Sequence, residues 1–211
     1  MFDAHRIVAL TAGMLSLASP ARAGFTYIAQ TRSITANAVS GGVTDSHSLS
    51  ATTFDVFDAS VSAQAFNPDT GFSGFGGATQ LSRLDPLQVV AIGSWSGHRD
   101  GQTGFPSGGG TSSFDITFTL DQAADFRFEA SGVINVAFVY VSAPGDWLHI
   151  RANGIYTGTL IPGTYMMGGS TSGSAGFPAG SSSFTMNLTI PSPGSATVLA
   201  AGFLCIGRRR R

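Results

Sequence analysis

The chain has 211 residues, 43% of them hydrophobic, enough to bury the core of one domain. Charged residues make up only 11%, against about 25% in an average soluble domain, and 28 positions are glycine, the profile of an exported, turn-rich β protein. All eleven basic residues are arginine, and between Gly24 and Ile190 five arginines against eleven acidic residues leave a formal charge of −6, which excludes a basic face for nucleic acid.

At the N-terminus, His5 and Arg6 precede the apolar run IVALTAGMLSLA, followed by SPARA and then Gly24. Ala21 and Ala23 stand in the small-x-small arrangement read by signal peptidase, and Ser19-Pro20 ends any helix begun upstream. Residues 1–23 are therefore expected to be a secretory signal peptide, a short membrane helix cleaved between Ala23 and Gly24. Gly24 rather than cysteine follows the cut, so lipoprotein processing is not indicated. The single cysteine, Cys205, lies far downstream, which leaves the exported domain, residues 24–190, with no disulfide framework and no thiol nucleophile.

The first half of that domain alternates strand-like and glycine-rich stretches. FTYIAQTRSITANAV, ATTFDVFDASVSAQAF and LQVVAIGSWSG are rich in Thr, Val, Ile and aromatic residues, which suit a pleated surface better than a helix. Between them, NPDTGFSGFGG (67–77) and GQTGFPSGGGTSS (101–113) read as loops.

The second half shows period 2 wherever it shows a period. In SFDITFTL the apolar set Phe114, Ile116, Phe118 and Leu120 alternates with polar residues, predicting a strand with one wet face. DFRFEA turns Phe126 and Phe128 inward, and SFTMNLTI does the same with Phe184, Met186, Leu188 and Ile190. VINVAFVYV is apolar on both faces, as a strand inside a sandwich would be. Turn chemistry at APGD (143–146), Asn153-Gly154 and Pro162-Gly163 divides the runs, and Asn-Gly predicts a hairpin between WLHIRA and IYTGTLI. The second half is thus expected to be an antiparallel meander of about seven strands. About ten short strands with no helical stripe predict an all-β fold, an antiparallel β-sandwich of jelly-roll type.

The C-terminus reads IPSPGSATVLAAGFLCIGRRRR. Pro191 and Pro193 favour an extended strip with missing N–H groups. Ser195 to Gly207 gives thirteen uncharged residues. As a helix they would span about 20 Å, short of the roughly 30 Å of a bilayer's hydrocarbon core. That is a weak, short transmembrane helix, and Arg208, Arg209, Arg210 and Arg211 would hold its end on the cytoplasmic side.

This tail resembles a PEP-CTERM sorting signal. In that family a Pro-Glu-Pro motif, an apolar helix and an arginine-rich end are recognised by an exosortase, a membrane transpeptidase that removes the tail. The product goes to the cell surface or its polysaccharide matrix. The resemblance implies a sorting motif at Pro191, Ser192, Pro193 and Gly194, with Ser192 where glutamate is usual. It also implies signal peptidase and exosortase as partners, and transient anchoring in the inner membrane.

The domain itself offers little chemistry. His47, His98 and His149 lack metal-ligand spacing, and Asp55 and Asp58, three apart, fall on opposite faces of a strand. DQAAD lacks the oxygen density of a calcium loop, and GGG at 108–110 precedes a strand rather than a phosphate-holding helix. No cofactor and no catalytic residue is expected. Trp95, Trp147, Tyr156 and Tyr165 are candidates for an aromatic platform under sugar rings. Alternation in DWLHIRA sets Trp147, His149 and Arg151 on one face, a candidate glycan contact. Two roles follow: a structural or interaction protein of the surface or matrix, and, alternatively, a carbohydrate-binding module that holds extracellular polysaccharide. N-terminal sequencing of exported protein should begin at Gly24, and a start well away from it would remove the signal-peptide boundary.

Overall fold

The computed structural model describes residues 23–100, 106–132, 137–143, 146–148, 153–175 and 178–191. Every element among them is a strand. β1 (Thr26–Ser40) and β2 (Val43–Ser50) form a hairpin in a first sheet, and β3 (Phe57–Asn67), β4 (Phe72–Asp85) and β5 (Gln88–Asp100) form a meander in a second. The chain then crosses repeatedly. β6 (Ser107–Leu120), β8 (Ala137–Ala143), β9 (Asp146–Leu148) and β11 (Gly163–Ala175) join the first sheet. β7 (Ala124–Ser131), β10 (Gly154–Leu160) and β12 (Gly180–Thr189) join the second. The orders are β2-β1-β6-β11-β8-β9 and β10-β7-β12-β5-β4-β3, antiparallel throughout, and the sheets face each other across a shared core.

Alternation explains the core. Phe114, Ile116, Phe118 and Leu120 of β6 and Phe184, Met186 and Leu188 of β12 are buried, with Ile190 just beyond, while Phe126 packs beside the fully buried Phe128. Phe118 meets Phe25 edge-on with centroids 4.8 Å apart and stacks on Tyr165 at 5.6 Å. Such aromatic pairs add about 0.5–1.5 kcal/mol each beyond the area they bury.

The opposite pole is built differently. Ala36, Ala38, Ala63 and Ala65 form a small-residue cluster, and beyond it backbone meets backbone. A Cβ on Gly108 would lie 1.8 Å from the Phe75 carbonyl oxygen of the facing sheet, one on Gly97 2.0 Å from that of Gly108, and one on Gly76 2.1 Å from that of Asn37. Side chains normally hold packed sheets about 10 Å apart, and at this pole there is no room for them. The sandwich is therefore thick at the phenylalanine end and thin at the glycine end.

This taper corrects two expectations. FSGFGG and SGGG, read as loops, are the starts of β4 and β6, because glycine is the residue that lets these strands approach the opposite sheet. Only residues 68–71 form the turn, where the Asn67 side chain accepts from the Asp69 N–H at 2.9 Å and Gly71 adopts φ +70°. The second half is not a meander, and Asn153-Gly154 does not close a hairpin. β9 pairs with β8, whereas β10 lies in the other sheet and pairs with β7, Gly154 opposite Ala130 and Leu160 opposite Ala124. Seating Leu160 in the core and Tyr156 beside Phe128 outweighs the local turn preference. Of the expected turns in this half, APGD alone lies between paired neighbours, with Ala143 opposite Asp146. Asp55 sits in a bend ahead of β3 rather than on a strand.

Beneath that bend lies Arg32, only 1% exposed. Its guanidinium donates to Gln30 Oε1 at 3.0 Å, to Ser82 Oγ at 3.2 Å and to the Thr53 carbonyl, and lies over the Phe57 ring. Burial lowers its pKa, with Asp55 opposing. The β2–β3 connection is thus tied down by a buried cation with its donors engaged.

Gly108→Val should cost more than about 3 kcal/mol or prevent folding, because the obstructing atoms are backbone and cannot rotate away. Gly71→Asn, open on all sides at a φ that asparagine tolerates, should change stability by a few tenths of that. Thermal unfolding of the two variants checks the taper; equal effects would contradict it.

Candidate functional site

The tail residues Ser192, Pro193, Gly194, Cys205 and Arg208 to Arg211 lie outside the described residues, as does Ala21. Ala23 and Gly24 are half-buried and Pro191 is exposed. Both flanks of the domain are fastened to one turn, the β4–β5 connection. The Phe25 N–H donates to the Pro86 carbonyl at 2.7 Å, and the Ile190 N–H donates to the Leu87 carbonyl at 2.9 Å. Tyr27 donates its phenol to the Asp85 carbonyl and stacks on Phe54 at 5.9 Å. A cavity of about 520 Å³ lined by Ala23, Gly24, Pro86 and Leu87 sits at this junction. Phe25 and Ile190 therefore sit at the same pole of the sandwich.

The expected aromatic platform is not assembled from the residues named for it. Trp95 is 6% exposed, its ring fills the space above Gly173, and its Nε1–H has no protein partner. Tyr165 is buried and donates to the Ile161 carbonyl at 2.7 Å, and Tyr156 packs on the core beside Phe128. Alternation along β5 puts Trp95 on the inward face with Ala91, Gly93 and Gly97, which the sequence reading did not apply to it. Trp147 lies on β9, the edge strand of the first sheet, opposite Ser142. His149 and Arg151 lie outside the described residues.

The outward faces carry a different pattern. Across β2, β1, β6 and β11 the register aligns Ser50, Ser33, Ser113 and Ser170 in one rung and Ser48, Thr35, Thr111 and Ser172 in the next. Across β3, β4, β5 and β12 it aligns Ser62, Gly77, Ser96 and Ser181, then Ser60, Thr79, Ser94 and Ser183. These rungs set uncharged hydroxyls about 4.8 Å apart across strands, beside exposed apolar residues such as Leu81, Ile92 and Met166.

These faces carry concavities, and one of them combines aromatic and hydroxyl groups. A cleft of about 520 Å³ lies over the outer surface of β3, β4 and β5. Its floor is the rung Ser62–Gly77–Ser96. One wall is the rung Gln64–Phe75–His98, where the Phe75 and His98 rings stack at 4.5 Å and 7°. The other is Ser60–Thr79–Ser94, with the Thr79 and Ser94 hydroxyls hydrogen-bonded at 2.7 Å. Asp45 of β2 closes one end: its Oδ2 accepts the Gln64 N–H at 2.9 Å and its Oδ1 lies 3.1 Å from His47 Nε2. The Gln64 N–H most of all, then His47, hold the Asp45 carboxyl below the usual carboxylate range against the cost of its desolvation. It is an acceptor across the physiological range. Sequence reasoning missed this cleft because Phe75 fell in a stretch read as loop and His98 was read as an isolated histidine.

Among the described residues no group of three or more His, Cys, Asp or Glu could hold a metal ion, and no helix is long and apolar enough to cross a membrane. Compared with known proteins, the chain matches no family model, no curated protein and no solved structure.

The Tyr27 phenol gives the shared turn a measurable signature. Burial, with the Asp85 charge adding to it, pushes this phenol well above the ordinary tyrosine range, and burial raises Tyr165 as well. Below about pH 10 both states keep the proton and the stabilisation is complete. Above it the unfolded chain ionises first, so stability falls as pH rises. Tyr27→Phe should lessen this alkaline loss, and Tyr27→Phe with Tyr165→Phe should lessen it further. Unfolding midpoints between pH 8 and 11 that decline equally in all three proteins would contradict this arrangement.

Proposed function

We propose that this is an exported bacterial protein of the cell surface or exopolysaccharide matrix, sorted by an exosortase, whose β domain has a structural or interaction role and no catalytic one. The observation that carries the reading is the order Pro-x-Pro, apolar segment and four arginines at residues 191–211 of a chain that opens with a signal sequence. The placement of Phe25 and Ile190 together at the β4–β5 turn supports it. Until the tail is removed, a domain anchored beyond Pro191 would stand on the membrane with its glycine pole outermost. The hydroxyl rungs of both exteriors also support it, since they suit contact with a hydrated polysaccharide.

In this reading the fold is a jelly roll with additions. β5-β12-β7-β10 and β6-β11-β8-β9 are two facing four-stranded sheets, in the order that eight strands take when two Greek keys wrap a sandwich. β1 and β2 extend one sheet beyond β6, and β3 and β4 extend the other beyond β5. The alternative, a carbohydrate-binding module centred on Trp147, gains only the edge position of β9, because Trp95 and Tyr165 are core.

Fractionation and intact-mass measurement in a host with a matching exosortase test the sorting step. The surface form should lack the C-terminal arginines. Replacing Pro191 and Pro193 together should trap full-length protein in the membrane, and deleting Arg208 to Arg211 should disturb orientation while the domain still folds. A mature surface protein that retains CIGRRRR makes the tail an ordinary anchor and ends the reading.

A further inference from the structure

We infer that the cleft over β3, β4 and β5 is a binding site for a short run of sugar rings in a neutral polysaccharide, with Phe75 and His98 as its wall and Gly77 as its floor. The inference rests on the matrix reading only for where such a chain would be met. The site itself stands on geometry.

Gly77 is the first reason. Gly76, Gly97 and Gly108 at the same pole are required by the backbone of the facing sheet. Gly77 points outward, lies outside the left-handed region, and would bring a Cβ no nearer than 3.1 Å to Ser96 Oγ. A Cβ there would press on the Ser96 hydroxyl, a side-chain group that can shift by a few tenths of an ångström, but no backbone obstructs it and no positive φ calls for glycine. What its missing side chain provides is depth between Ser62 and Ser96.

The lining is the second. The rings of Phe75 and His98 stand beside that depression, each covering one face of the other, and the ring surface left over can pack against the C–H groups of a sugar ring. Serine and threonine hydroxyls both donate and accept, as sugar hydroxyls do, and Asp45 adds a fixed acceptor at one end. A volume of about 520 Å³ lies within the range of small-ligand sites, roughly 300–1,000 Å³.

Charge selects among sugars. The lining holds no arginine to pair with a uronate, sulfate or phosphate, and the Asp45 carboxylate would repel one. A neutral chain meets no such penalty. The hydroxyl rungs of the opposite sheet have the same polarity without the stacked Phe75 and His98 rings, so they serve as the internal control.

Native electrophoresis of the purified full-length protein through gels containing soluble glucans, mannans or galactans, with a polyuronate as the acidic counterpart, tests the inference. At least one neutral polysaccharide should retard the protein. Phe75→Ala and His98→Ala should each weaken that binding by about tenfold, the loss of one stacking contact. Gly77→Leu, which fills the floor from the solvent side, should abolish it while the protein still unfolds cooperatively, and Ser172→Ala on the other sheet should leave it intact. No retardation by any neutral polysaccharide, retardation by the polyuronate alone, or equal retardation of wild type and all three cleft variants would overturn the site. The sorting reading fails separately, on retention of the tail, whatever these gels show.

Discussion

The fold depends on the direct contact of two backbones at the glycine pole. Where Gly76, Gly97 and Gly108 meet carbonyl groups of the opposite sheet, the sandwich has no side-chain layer, so burial of apolar area must come from the other end. There Phe25, Phe118, Tyr165 and Phe184 fill the widening gap. The alanine cluster of β1 and β3 grades one regime into the other. The two poles thus differ in how they resist change. A lost methylene at the thick end leaves a cavity, whereas an added one at the thin end has nowhere to go.

That contact also accounts for what could and could not be read from the residues. Strands β6, β7 and β12 were legible because one apolar face alternates with a polar one, and their inward residues are those the period predicts. The starts of β4 and β6 were not, because glycine signals a turn locally and close approach only in the presence of a second sheet. Asn153-Gly154 misled for a related reason, since its flanking segments find partners in different sheets. The cleft was illegible as a unit. Its walls come from three strands, and only the register places Phe75 beside His98 and Gly77 between two serines.

With charge so sparse, the exterior is kept in water by hydroxyls, and charged groups are held for particular tasks. Asp45 satisfies an N–H on the free edge of β3, where an unpaired strand would otherwise invite another chain. Arg32 is spent entirely inside, where it fixes the β2–β3 connection through the Thr53 carbonyl while Gln30 holds the neighbouring Ala51 carbonyl. Such a molecule has few long-range electrostatic preferences, and short-range shape and hydroxyl exchange decide what it touches.

The position of β12 has a consequence for how the molecule is made. The last strand among the described residues is a central one, hydrogen-bonded to β5 on one side and β7 on the other. A chain delivered N-terminus first can assemble β3, β4 and β5 as a local unit, but its second sheet stays split until residues 180–189 arrive. Until then Phe128 and Val89 lack the neighbour that covers them. Closure of the second sheet therefore waits for the ten residues of β12, near the end of the described chain.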